Sequence, residues 1–285
     1  MNFLKELGIG LKNYWIGTKF LFEHKLLAYF IFPLILFTGV YVLGNYFQSV
    51  ELEINETLKL KAEDIQTVNE LIWISLKMFF FDALYIIFTQ FTLYIVVVLL
   101  SPILAILSQK IESILTGNKY PFEFKNLIND IKRGAVIAFR NLIWYYLFVG
   151  IFLGIVSFFD LSAKSFIIFA IPFIVGFYYY GFSFIDYVNE RRRLNIQQSV
   201  YFVSQHKGLA IAIGSIYSTL FLLYFFITNN RADLVAAYGF GLLWEIASWI
   251  LLTLAALSPI IAITAATLSM HQIVDLKKNT ESKPP

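Results

Sequence analysis

Cysteine does not occur in the 285-residue chain, which excludes disulfides and thiolate metal sites and leaves the redox compartment unmarked. Charge is scarce: Asp, Glu, Lys and Arg together make up 14% of the residues, against about 25% in soluble domains. Histidine occurs only at His24, His206 and His271. No HExxH, P-loop or GxSxG pattern is present, so neither an enzyme nor a cofactor or metal is expected. The net charge of +3, with no concentrated basic patch, gives no reason to expect a nucleic-acid partner.

What the chain has instead is apolar length. Hydrophobic residues make up 59% and aromatics 18%, and the mean hydropathy is +0.70. The apolar residues fall into long runs: 26–47, 83–108, 141–159, 165–185 and 208–230 carry no charge, and 234–270 carries only Glu245. A hydrocarbon core about 30 Å thick needs about 20 helical residues, so the fold class is an all-α polytopic membrane protein. The first run exceeds the roughly 7–15 residues of a signal peptide core and is expected to stay as a membrane helix, with a kink near Pro33. Apolar residues from Leu71, past Lys77 and Asp82, extend the second run into one long helix with a kink at Ser101-Pro102. The short 160–164 link makes 141–159 and 165–185 an antiparallel hairpin, and 208–230 with 234–270 forms a second, bent at Pro259. Gly150 and Gly154 form GxxxG, which lets helix backbones approach and suits a homo-oligomer.

Ahead of these runs, Lys5, Lys12 and Lys19 recur every seven residues, with Phe3, Leu7, Leu11, Tyr14 and Trp15 beside them. This is the pattern of a helix lying in the membrane interface among lipids. The competing reading is an amphipathic helix packed on the rest of the chain. Residues 1–274 are expected to form a single integral membrane domain, and 275–285 a disordered cytoplasmic tail. Of the 22 Lys and Arg residues, 17 fall in the N-terminal segment, 109–140, 186–207 and the tail. By the positive-inside rule that side, and both termini, face the cytoplasm.

Three stretches carry a family likeness. LLSPILAILSQKIESILTG holds Ser101, Pro102, Glu112, Leu115 and Gly117, RNLIWYYL begins at Arg140, and FSFIDYVNERRRLNIQQSVYFVSQHKGLAIAIG holds Asp186 and Tyr187. In order and spacing they resemble the CysZ sulfate-permease and etoposide-induced protein 2.4 family. The resemblance implies two long transmembrane helices plus two helical hairpins that only partly penetrate a bacterial inner membrane, although by length alone each hairpin helix can cross. It also implies an inorganic anion, sulfate foremost, as cargo. The family's sulfate permeases carry a Pro-Gly-Leu-Arg-Arg-type segment before the first long helix. Here it reads His24-Lys25-Leu26-Leu27-Ala28, which leaves His24 and Lys25 as the anion-binding candidates. The family's Asn after Ser-Pro-Phe is Leu104 here.

Charged groups at membrane depth are costly and face protein or water, so Asp82, Glu112, Arg140, Asp186 and Glu245 are the candidate intramembrane or pore groups. Each has a structural reading beside the functional one. Asp82 fits the outer interface near Lys77, and Glu245 fits the outer interface near Arg231 and Asp233. Arg140, Asp186 and Glu112 fit either a cytoplasmic pairing network or snorkelling to headgroups, and Arg191–Arg193 fit contact with anionic lipid heads, with a substrate role as the lesser reading. Segment 48–70, on the other side, holds six acids and two lysines and so repels an arriving dianion at short range. Two functions remain: a permease or channel for a small inorganic anion, or a membrane scaffold or lipid-organising assembly factor sharing the fold. An intramembrane hydrolase lacks a site.

Overall fold

In hydrocarbon every peptide group must find its partner inside the protein, and a helix supplies one within its own segment. The computed structural model describes residues 2–61, 68–90, 92–118, 124–158 and 165–274. The described residues form ten α-helices and one 3-10 turn, with no strand among them. Helix α1 (Phe3–Glu23) leads through the 3-10 turn Leu27–Phe30 into α2 (Ile31–Lys61). Then follow α3 (Val68–Gln90), α4 (Thr92–Thr116), α5 (Phe124–Ser157) and α6 (Ser165–Arg191). The last four are α7 (Ile196–Gln205), α8 (Lys207–Asn229), α9 (Arg231–Tyr238) and α10 (Gly241–Ile273). The expected tail 275–285, the 160–164 link, and Glu63, Asp64 and Pro121 lie outside the described residues.

Among the described residues, five segments are long and apolar enough to cross a membrane: Leu27–Ile54, Ile95–Thr116, Ile131–Ser157, Lys207–Thr228 and Gly241–Ile273. Only 17% of the Leu27–Ile54 window, and 17% of that in Ile131–Ser157, is buried inside the protein. Their outer faces, including Ile35, Val42, Leu147, Phe148 and Ile151, stand exposed. A continuous apolar surface of this kind has no stable place in water. The chain is a multi-pass α-helical membrane protein.

Helices α4, α6, α8 and α10 make the centre. The tightest crossing is α6 on α8, where a Cβ placed on Gly181 would overlap the Ala210 carbonyl, and one on Gly214 would overlap the Phe177 carbonyl. The two backbones touch there with no side chain between them, the small-residue packing that membrane helices favour. Gly150 and Gly154, the sequence's GxxxG pair, meet nothing within 4 Å inside the chain. The close approach lies at Gly181 and Gly214 because these face the bundle, whereas the Gly150–Gly154 stretch of α5 faces outward.

Helix α1 combines the two readings given for it. It buries Glu6, Gly10, Asn13, Tyr14, Gly17, Phe20 and Leu21 against α8 and α10. Gly10 lets Ala212 and Leu209 in, and Gly17 admits Thr264. The buried stripe is thus built from small and polar residues, and Tyr14 turns inward, where its hydroxyl donates to the Ile213 carbonyl. Leu4, Leu11, Trp15 and Phe22 form an exposed apolar stripe on the far side, beside the lysines. The run expected as one long helix from Leu71 to Ser108 is helical in α3 and α4 as far as it is described, with Phe91 between them outside the described residues.

Two helix ends use positive φ without glycine. After α1, the amide of Leu26 donates to Leu21 O (2.9 Å) and that of Lys25 to Phe22 O (3.2 Å), a Schellman motif with Lys25 at φ 55°. After α6, Leu194 donates to Asn189 O (3.1 Å) and Arg193 to Glu190 O (2.8 Å), with Arg193 at φ 59°. Glycine is the usual residue at such a position, and here Lys25 and Arg193 take it.

The crossing predicts a contrast between glycines. Gly214→Ala is expected to destabilise the detergent-solubilised protein by about 3 kcal/mol or more, because backbone has to move. Gly150→Ala should stay within about 0.5 kcal/mol, as at an unpacked surface position. Thermal unfolding of the two variants checks this.

Candidate functional site

Polar groups gather at one end of the bundle, where α4, α6 and α10 end and α5 and α8 begin. Arg133 on α5 grips Asp186 on α6 with two bonds, Nε to Oδ2 at 3.0 Å and Nη2 to Oδ1 at 2.9 Å. Its Nη1 donates to the Leu194 carbonyl at 2.8 Å, and Glu190 lies 3.8 Å from Nε. Asp186 is 1% exposed and also accepts from the Ser199 hydroxyl of α7 at 2.5 Å. Asn189 in turn donates to Ser199 at 3.1 Å. A fork-on-carboxylate pair of this kind is the strong form of the interaction.

A second pair stands beside it. Arg191 Nη1 meets Glu112 Oε2 at 2.9 Å, and both side chains are buried. Arg191 Nη2 donates to Ser108 Oγ, which lies 2.6 Å from Thr267 Oγ1. The Thr267 proton goes to the Ile263 carbonyl at 2.8 Å, so Ser108 must be the donor to Thr267. The chain Arg191 to Ser108 to Thr267 thereby runs in one direction and ties α4, α6 and α10. A third set ties α1 down: Glu6 meets His206 Nδ1 at 2.7 Å, and Asn13 meets Ser269 at 2.8 Å and Gln272 at 3.3 Å.

Deeper in, proline has removed backbone donors and hydroxyls replace them. Pro102 has no N–H for the Val98 carbonyl, and Ser101 Oγ donates there at 2.6 Å. The Tyr187 hydroxyl donates to the neighbouring Val97 carbonyl at 3.1 Å. In α10, Pro259 leaves the Ala255 carbonyl free, and Ser258 Oγ donates to it at 2.8 Å. The same Leu-Ser-Pro-Ile string begins at Leu100 and at Leu257, a repeat that sequence reasoning missed although it is legible there.

The candidate residues are now placed. Glu112 and Asp186 both lie in the polar end, and their partners are Arg191 and Arg133 rather than Arg140. Arg140 lies on the face of Arg133 two turns along α5, about 10 Å further in. It is thus level with Phe182, over which its guanidinium sits 5.4 Å from the ring centroid, and its Nη1 bonds Asn141 Oδ1 at 3.3 Å. Arg191, read from sequence as a lipid-head contact with Arg192 and Arg193, is a buried structural cation; burial on α6 opposite Glu112 explains the difference. Glu245 meets Arg231 at 2.7 Å, both about half exposed. Asp82 on α3 is half-buried and pairs with no cation among the described residues. His24 Nδ1 lies 3.0 Å from the Phe20 carbonyl with its ring stacked on Phe20, and Lys25 is exposed in its left-handed turn. The network therefore unites Glu112 and Asp186, and leaves His24, Lys25, Asp82, Arg140 and Glu245 outside it. Arg133, Ser108, Ser199, Glu6 and His206 were not singled out by sequence. Glu6 carried a signal, since it shares a seven-residue spacing with Asn13 on the stripe of Gly10 and Gly17.

Chemically, Arg133 and Arg191 are neutralised by carboxylates and have no charge left for a ligand. Removing one partner of such a buried pair leaves the other uncompensated. Arg133→Ala is expected to cost about 3–5 kcal/mol of stability, whereas Arg140→Ala, with no carboxylate partner, should cost no more than about 1.5 kcal/mol. Unfolding of both variants in detergent, with Asp186→Asn to close a mutant cycle on Arg133, measures the difference.

The family described as Sulfate transporter CysZ/Etoposide-induced protein 2.4 matches residues 13–228, a stretch that runs from α1 to the end of α8 and contains Glu112, Arg133, Asp186 and Arg191. No curated protein matches the chain.

Proposed function

The chain belongs to the sulfate transporter CysZ/etoposide-induced protein 2.4 family, and from that premise we propose that it carries a small inorganic anion, sulfate foremost, across a bacterial inner membrane. The family match over residues 13–228 is the observation that carries this reading. The bundle supports it by exposing apolar helix faces for lipid while holding its polar groups together at one end. In this reading that end and both termini face the cytoplasm, where the excess of basic residues places them, and residues 1–274 act as one membrane domain with 275–285 as its tail. Lys25 is the exposed cation next to the α1–α2 turn and first receives the anion, with His24 beside it. Asp82, Arg140 and Glu245 serve as polar groups along the way, while Glu112 and Asp186 hold the helix ends together. Gly150 and Gly154, open on α5, offer a contact between copies of the chain.

One observation favours the alternative, a membrane scaffold. Both arginines with bonds to buried carboxylates are saturated, which is what a purely structural bundle needs and a conduit for dianions does not. Flux decides. Purified protein in liposomes is expected to take up labelled sulfate above empty liposomes, and Lys25→Ala to lower the rate at least about three-fold, as loss of one charge-assisted contact does. Uptake of sulfate and thiosulfate at the empty-liposome level would turn the assignment to the scaffold.

A further inference from the structure

Arg192 and Arg193 stand outside the network at the polar end, and of the two Arg193 is exposed whereas Arg192 is not. Arg192 stands at the end of α6, half-buried, and its Nε is buried with no hydrogen-bond partner. Its one polar contact, Nη1 to Asn189 Oδ1, is 3.5 Å long, at the limit of a useful bond. Glu112 is engaged by Arg191, Asp186 and Glu190 by Arg133, and Glu6 by His206. Burial pushes the Arg192 guanidinium below its ordinary value, and the charge of Glu112 only partly offsets this. A partly desolvated cation whose counter-charge is shared with another arginine is costly, so this arginine is held in a position that an anion would relieve.

The surroundings suit one. Arg192 lines a cleft of about 550 Å³ with Gln197, Gln198, Tyr201, Gln205 and His206 among its walls, and no carboxylate lines it. The guanidinium is steadied by Phe202, whose ring centroid is 5.3 Å from Cζ and which packs on His206 at 4.5 Å. The Gln198 carbonyl already accepts from the Asn195 amide at 2.9 Å, which leaves its NH2 to donate. Gln197 and Gln205 lie exposed on α7 with Tyr201 between them, at a spacing of four residues that sets all three on one face. The cleft therefore presents one planar cationic fork and several neutral donors, a set that matches the oxygens of a tetrahedral oxyanion.

We propose that the Arg192 cleft is a binding site for a tetrahedral oxyanion, supplied either as free sulfate or phosphate or as the phosphate of a lipid headgroup. The site is separate from His24 and Lys25 and does not depend on transport; binding here with no flux would remove the transport reading alone.

The test uses the full chain, purified in detergent and stripped of lipid. Labelled sulfate, displaced by unlabelled sulfate or phosphate, reports the free anion. Native mass spectrometry after addition of phosphatidylglycerol or phosphatidylcholine reports the headgroup. Arg192→Gln is expected to weaken one of the two about ten-fold or more, while Arg193→Gln, the same charge change at an exposed neighbour, alters it less than about two-fold. Loss of sulfate identifies the free anion, and selective loss of phosphatidylglycerol identifies the headgroup. Should Arg192→Gln fail to fold, Gln197→Glu decides, since it sets a carboxylate at the cleft while leaving Arg192 in place, and it is expected to abolish binding. Equal loss in Arg192→Gln and Arg193→Gln, unchanged binding in Gln197→Glu, or no binding of either probe to the wild-type protein would overturn the proposal.

Discussion

A peptide group in hydrocarbon has no water to fall back on, and each one left unpaired costs several kcal/mol. That constraint orders this structure. It explains why the described residues are helical almost throughout, and how two of the prolines that sit inside helices, Pro102 and Pro259, are accommodated. Pro102 and Pro259 each remove a donor, and in each case the serine immediately before turns its hydroxyl onto the carbonyl left behind. The deficit is removed within the same Ser-Pro dipeptide. Tyr187 extends the same repair to Val97, linking α4 to α6.

The second consequence concerns charge. Buried arginines are tolerable only with carboxylates and further bonds around them, and Arg133 and Arg191 have both. Their partners come from different helices, so each pair also fixes how the helix ends meet. The one-way chain through Ser108 and Thr267 carries this to α10, and the Glu6–His206 contact carries it to α1. The polar end acts as a clasp, while the rest of the bundle is held by close packing such as the Gly181–Gly214 crossing. Arg192 stands out against that background because the clasp satisfies its neighbours and leaves it with one long bond.

Much of this was legible in the sequence, because hydropathy is additive along a chain. Runs such as 26–47 and 208–230 mark helices whatever they pack against. The family likeness rested on order and spacing around Ser101-Pro102, Gly117 and Asp186-Tyr187, and the match over residues 13–228 bears it out. Pair choice was not legible. Arg133 and Arg140 sit on the same face of α5, and only the level of α6 beside them decides that Asp186 meets Arg133. Nor could the sequence tell which glycines face a neighbour, since Gly150-x-x-x-Gly154 is a better pattern than the single Gly181. In helix α1 the buried face was the harder one to read, for a related reason. Its lysine and aromatic stripes are conspicuous, whereas the stripe it buries, Glu6, Gly10, Asn13 and Gly17, is small and polar.

The central claim is that the wide apolar faces of α2 and α5 lie in lipid hydrocarbon. The lack of native cysteine makes a direct measurement simple, since a single introduced thiol takes the only spin label. Nitroxides at Ile35→Cys and Ile151→Cys, in protein reconstituted into lipid vesicles, should collide freely with dissolved oxygen and scarcely with a water-soluble nickel chelate, whereas a label at Gln198→Cys on α7 should show the opposite preference. If the nickel chelate reaches positions 35 and 151 as readily as position 198, those faces are in water and the account is wrong.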